Sequence, residues 1–258
     1  MMKFLKSFCF IVLFLPFAMS AQSEIDTATS MVWTGASFAY QLPGGHLKET
    51  FKGNFNLGTW ITYKTSSNWT LSVNFNYMFG SKFRSYEPEN LRKYFGDIIT
   101  TFNYIVDGEG KPSDVFCEGR YWNVGGSLGK VIPIGPWKNS GIWVSLGAGY
   151  ISHKIHITTP DNRFPQLSEE YRKGYDRRSG GFYTTQFVGY LFMRKRRVAS
   201  FFAGIELYEM WTKPSRTYIF TEGPTDEMKN KFSILTGFKI GWIVPLYEKK
   251  KTIKYYTY

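Results

Sequence analysis

Eight segments of this chain alternate apolar with polar residues, and the connections between them alternate long and short. The long connections are 42–53, 81–119, 154–179 and 212–230; the short ones are 66–68, 133–140 and 194–197. In an antiparallel meander, successive connections emerge at opposite ends, so every long loop falls on one side. That is the layout of a transmembrane β-barrel, with tight turns on one side of the membrane and long loops on the other.

Segment 69–80 shows the pattern most clearly. Trp69, Leu71, Val73, Phe75, Tyr77 and Phe79 share one face, against Thr70, Ser72, Asn74, Asn76, Met78 and Gly80. A period of two is a strand signal. Segment 54–65 repeats it, with Phe55, Leu57, Ile61 and Tyr63 opposed by Asn54, Asn56, Gly58 and Thr62. Strand seven sets Phe201, Ala203, Ile205 and Leu207 against Gly204 and Glu206. The last strand sets Phe232, Ile234, Phe238, Ile240, Trp242 and Val244 against Ser233, Gly237, Lys239 and Gly241. Segments 32–41, 120–132, 141–153 and 180–193 alternate less cleanly, and strand six, Phe182 to Met193, is the candidate for a bulge or register shift. Crossing the hydrocarbon layer takes about 9–11 tilted residues, which each segment supplies. Trp33, Trp69, Trp122, Trp137, Trp143, Trp211 and Trp242 fall near strand ends, as expected of an interfacial girdle, whereas Trp60 lies deeper.

The predicted fold is therefore all-β: an up-and-down antiparallel transmembrane β-barrel of eight strands, with ten as the alternative. The alternative arises because 97–107 also reads as a strand. It is taken as an extension rising above the membrane from the second long loop, after a short helix that begins near Pro88. Lys3 and Lys6 precede an apolar stretch from Phe8 to Met19, and Ala18, Ser20 and Ala21 supply small residues for cleavage. This predicts a secretory signal peptide over 1–21. A short periplasmic segment follows at 22–31, the barrel spans 32–247, and a basic, aromatic tail closes the chain at 248–258. After residue 21 no apolar run of 18 or more occurs, which excludes a helical membrane bundle. Aromatics at 19% suit strands facing lipid, and Cys117 alone remains after processing, so no internal disulfide is expected. The expected location is the cell outer membrane, with the long loops outside.

Few residues carry candidate chemistry. Glu206 and Lys239 fall on the inward faces of adjacent strands, and an unpaired buried charge is costly. They are expected to form a lumen network with Asn74, Asn76 and Gln186. On the short-turn side lies a basic rim: Arg194, Lys195, Arg196, Arg197, Lys249, Lys250 and Lys251. It holds much of the net charge of +12 and suits an acidic periplasmic protein, peptidoglycan or anionic headgroups, with membrane-boundary snorkelling as the plainer reading. Nucleic acid is not an expected partner there. The chain has three histidines, His46, His153 and His156. The last two, near Ser152, are the only basis for a catalytic reading, and their spacing reproduces no nucleophile–base–carboxylate set. No metal spacing is evident, so no catalytic, metal or cofactor-binding residues are expected. The mixed charges of 154–179 fit either an ordered surface or a solvated loop.

In architecture the chain resembles the OmpA/OmpX-type class of eight-stranded outer-membrane barrels. More closely, it is similar to a family of small barrels found in Bacteroidetes. The residues that carry this are Gly149 to Ile157, Pro165-Gln166-Leu167, Lys173 to Arg177, Gly237 to Tyr247 and the tail Tyr255-Tyr256-Thr257-Tyr258. The resemblance implies fold and compartment and carries over no site residues. The expected function is a non-enzymatic barrel with a structural or interaction role, one version being an accessory subunit of an envelope secretion or assembly complex. The alternative is an outer-rim enzyme acting on lipid or peptide through His153 or His156.

Overall fold

A computed structural model describes residues 27–83, 88–98, 105–107, 109–113, 116–158, 164–193, 200–225 and 229–246. The expected signal peptide, the basic residues at 194–197 and 249–251, and the tail at 248–258 lie outside the described residues.

Eight long strands form the wall: β1 Met31–Gly45, β2 Asn54–Lys64, β3 Trp69–Lys82, β4 Phe116–Pro133, β5 Gly141–Thr158, β6 Ser179–Phe192, β7 Ser200–Pro214 and β8 Lys231–Leu246. Each pairs antiparallel with its chain neighbour. β1 then closes on β8, from Val32 opposite Leu246 to Gly45 opposite Ser233. The ten-stranded alternative is not what forms: Ile105–Val106 pairs with Pro112–Ser113 as a small hairpin outside the wall. Residues 99–104 lie outside the described set.

The alternation read from sequence is the alternation of the wall. Ile61, Leu71, Val73, Leu146 and Ile205 point outward, all at least 60% exposed. An apolar belt of this extent is stable against lipid and unfavourable against water, at roughly 25 cal/mol per Å². Inside, the short-turn end is filled by interlocking rings. Trp143 meets Phe202 edge-on at 5.2 Å, Trp60 meets Phe202 at 5.4 Å, and Trp33 meets Trp143 at 6.4 Å. Trp33 and Trp143 are therefore not girdle residues. An eight-stranded cylinder has an interior that side chains must fill, and these indoles do so. Trp69, Trp211 and Trp242 do face outward.

The bulge expected in β6 is elsewhere. β6 keeps unbroken register with both neighbours, and the shift falls in β3, between Met78 and Ser81 opposite β4. Gly80 there has φ +72°, a backbone state that residues with a Cβ seldom adopt. The short turn between β2 and β3 uses Asn68 at φ 66°, with its N–H donating to the Thr65 carbonyl.

β4 and β5 each run 18 residues, well past the length needed to cross the membrane, so the wall rises beyond it at the long-loop end. Among the described residues the long loops carry three α-helices: α1 His46–Thr50, α2 Pro88–Phe95 and α3 Glu169–Tyr175. α2 coincides with the short helix expected there.

Candidate functional site: the lumen and the outer cap

At mid-wall the lumen turns polar. The Lys239 Nζ lies 3.0 Å from Glu206 Oε2, and the Gln41 amide donates to Glu206 Oε1 at 2.6 Å. The Asn56 amide adds a longer bond at 3.3 Å. Glu206 is 1% exposed, so these partners replace the water it has lost. Asn76 donates to Asn123 at 2.8 Å, and Asn74 to the Tyr183 hydroxyl at 3.4 Å. The cavity left beside these groups is about 60 Å³, far too small for a solute path. Gln41 and Asn56 are members that sequence reasoning missed. Asn56 had been placed on the inward face, and its strand parity was the available signal.

Gln186 does not belong to this network. It stands opposite Leu146 and Leu207 on the outward face and donates to Glu209 at 3.3 Å. Inward and outward apolar side chains alternate along β6, with Tyr183, Phe187 and Leu191 inside and Phe182, Val188 and Tyr190 outside. Both faces are apolar, so polarity gives no parity there.

At the short-turn end, Lys64 is fully buried. Its Nζ donates to the Asn139 side chain at 3.0 Å and to the Thr29 carbonyl at 3.1 Å, holding residues 27–30 against the barrel.

At the other end the long loops fold into a cap. Leu47, Phe51, Tyr94, Phe95, Phe164 and Tyr175 pack in one cluster that continues into the lumen through Met78, Tyr121 and Tyr183. Arg177 joins three loops. It pairs with Glu222 at 2.7 Å, donates to the Lys93 carbonyl at 2.8 Å and to Thr221 at 2.9 Å, and lies 4.3 Å from the Tyr94 ring centre. Burial lowers the Arg177 guanidinium below the usual arginine range, and Glu222 and Tyr94 oppose that shift. Its φ of +43° is uncommon for a residue with a side chain. Beside it, Arg216 clasps Asp176 with two bonds, at 2.5 and 3.1 Å, which raises the Arg216 guanidinium. The 154–179 loop is thus ordered and salt-bridged where it is described.

The two strand-five histidines sit on opposite sides of the wall. His153 points inward, its ring 5.5 Å from that of Tyr121 and its Nε2 3.3 Å from Thr212 Oγ1. His156 shares the outward parity of Tyr150 and Lys154, and borders a cleft of about 780 Å³ under residues 164–176. The pair cannot serve one reaction centre. Cys117 is buried, with its thiol pushed up to about 12 by that burial.

A closed eight-stranded meander with an apolar outer belt, a filled lumen and long loops gathered at one end defines an outer-membrane-type β-barrel. Solved structures similar to this chain are small outer-membrane barrels. Neisserial surface protein A (NspA) shows 10% identity over 82% of this chain and 96% of its own, with a TM-score of 0.42. The attachment invasion locus protein Ail of Yersinia pestis, solved with the heparin analogue sucrose octasulfate, shows 8% identity over 83% and 99%, with a TM-score of 0.41. OprG from Pseudomonas aeruginosa shows 10% identity over 84% and 97%, with a TM-score of 0.35. No protein-family model and no curated protein matches the chain, so the expected kinship with a Bacteroidetes barrel family finds no support.

Proposed function

We propose that the protein is an integral outer-membrane barrel that works by interaction at the cell surface, through its folded cap, rather than by transport or catalysis. The observation that carries this reading is the apolar cluster that runs unbroken from the upper lumen into the cap. Loops tied into the packing of the barrel form a preformed surface, and a preformed surface loses less entropy on binding a partner than mobile loops do. Service as an accessory subunit of an envelope secretion or assembly complex is one version of this role, with the cap as docking face.

The test places photo-crosslinking side chains at cap positions Lys93 and Tyr171, and at lipid-facing Leu146 as control, in intact cells. Adducts of defined protein mass from the cap positions alone support the reading. Swelling of proteoliposomes in small sugars, with no cap adducts, would replace it with a pore. Turnover of lipid or peptide that is lost in His153→Ala or His156→Ala would replace it with the enzyme alternative.

A further inference from the structure

The outward face of β4 to β8 is ordered in cross-strand rows. Nearest the cap, Arg120 stands directly opposite Lys154, and Lys213 lies one row lower, in line with Ser152 and Gly180. The next row is aromatic: Tyr150, Phe182, Trp211 and Phe232. Phe182 stacks on Trp211 at 6.1 Å, and Trp211 meets Phe232 at 5.5 Å. Beneath it lie Gly126, Ala148, Thr184 and Glu209, with Gln186 one row further down. Thr184 and Gln186 both donate to Glu209 Oε2, at 3.1 and 3.3 Å. Aliphatic side chains, Leu128, Leu146, Val188 and Ile205, cover the wall around and below Gln186.

The wall gives the two opposed cations one carboxylate, Glu118, a row nearer the cap, and gives Glu209 no cation in its own row. Like charges directly opposite on a sheet repel, and a carboxylate facing lipid is unfavourable. Among the described outward residues of the eight wall strands from the aromatic row to the short-turn end, Glu209 is the only carboxylate and Gln186 the only amide. They touch each other across adjacent rows. Two residues along a strand advance about 6.6 Å, so Glu209 sits just under the aromatic row, where acyl chains begin.

We propose that these rows bind a membrane lipid, a phosphorylated glycolipid whose acyl chains are amide-linked or hydroxylated near their roots. Arg120, Lys154 and Lys213 meet the phosphate, as guanidinium and ammonium groups do. The aromatic row covers the sugar edge. Glu209, held by Thr184 and Gln186, accepts from the N–H or O–H at the acyl root. Gly126 and Ala148 leave the wall shallow for the first carbons of a chain. An ionised carboxylate accepts hydrogen bonds and donates none. It therefore disfavours glycerophospholipids, whose ester roots also only accept. The inference rests on the outer-membrane placement of the barrel.

The test titrates the purified full chain, in detergent and in nanodiscs, with three probes read by native mass spectrometry: bisphosphorylated lipid A, its dephosphorylated form, and phosphatidylglycerol. Bisphosphorylated lipid A binds most tightly, and removing its phosphates weakens binding at least tenfold. Glu209→Leu weakens it about tenfold, ~1.4 kcal/mol, and Lys154→Ala with Lys213→Ala abolishes the preference for phosphate. All variants keep heat-modifiable migration. Equal binding of phosphatidylglycerol, or unchanged affinity in Glu209→Leu, overturns the proposal. Unchanged affinity together with loss of a dimer in Glu209→Leu overturns it in favour of a contact between copies. Absence of heat-modifiable migration in the parent chain overturns the membrane reading, and the lipid site with it.

Discussion

Arg177→Ala isolates the stability of the cap from that of the wall. The substitution removes an ion pair of 2.7 Å, hydrogen bonds of 2.8 and 2.9 Å and a ring contact at 4.3 Å, all from one largely buried side chain. Hydrogen bonds to a charged group contribute about 1.5–3 kcal/mol each. Ring stacking at a partly exposed site adds about 0.5–1 kcal/mol. The backbone strain at φ +43° remains in alanine, so no relief offsets the loss. Discounting for the partial exposure of Glu222, the cap loses about 2–4 kcal/mol relative to its opened form. At roughly 1.4 kcal/mol per factor of ten, hydrogen exchange in α2, α3 and the small hairpin that pairs Tyr218–Ile219 with Gly223–Pro224 accelerates by about 30- to 1,000-fold. Exchange in the wall between Leu146 and Ile205 stays unchanged. Arg177→Lys falls between, because an ammonium keeps the charge without the planar fork. Equal protection of the cap in parent and Arg177→Ala would show that ring packing alone holds the loops, and would refute the clamp.

Glu206→Gln leaves Lys239 in the lumen without its counter-charge. The barrel should lose about 3 kcal/mol of stability, read as a lower urea midpoint for refolding into vesicles; an unchanged midpoint would reject the pairing. Trp143→Ala empties the ring cluster at the short-turn end and should cost about 3–5 kcal/mol by the same assay. His46 is held below its ordinary value, by burial first and by Lys231 second, while Glu49 opposes. Because the folded state favours the neutral ring, this stabilisation is complete above the unfolded value of 6.5 and declines as pH falls through it. Proteolysis of the cap should quicken between pH 7.5 and 5, and less so in His46→Gln. Cys117 should resist maleimide at pH 8 in the folded barrel and react fully in urea.

The wall was legible because lipid inverts the usual arrangement without blurring its period. β3 up to Met78 and most of β8 place apolar residues on one parity and polar or small ones on the other, with Leu235 and Ile243 as inward apolar exceptions, and the structure keeps that parity until the β3 shift. Where rings occupy both faces, as in β6, parity loses its contrast, and Gln186 was assigned to the wrong side. Position along the strand misled in the same way for Trp33 and Trp143, because a girdle and a lumen plug both place indoles near strand ends. The two histidines were separable in principle, since residues three apart in a strand face opposite ways. The Arg177 clamp was not, because its partners come from loops joined to it only through the closed barrel.

α1 touches both β1 and β8, the two strands that meet last along the chain. It has its second wall only when that seam is complete, and the other loops pack on the same cluster. The folded cap is therefore a receipt for closure: a barrel still open at the seam has no finished surface at its long-loop end, and an antibody against the assembled cap would count only sealed molecules.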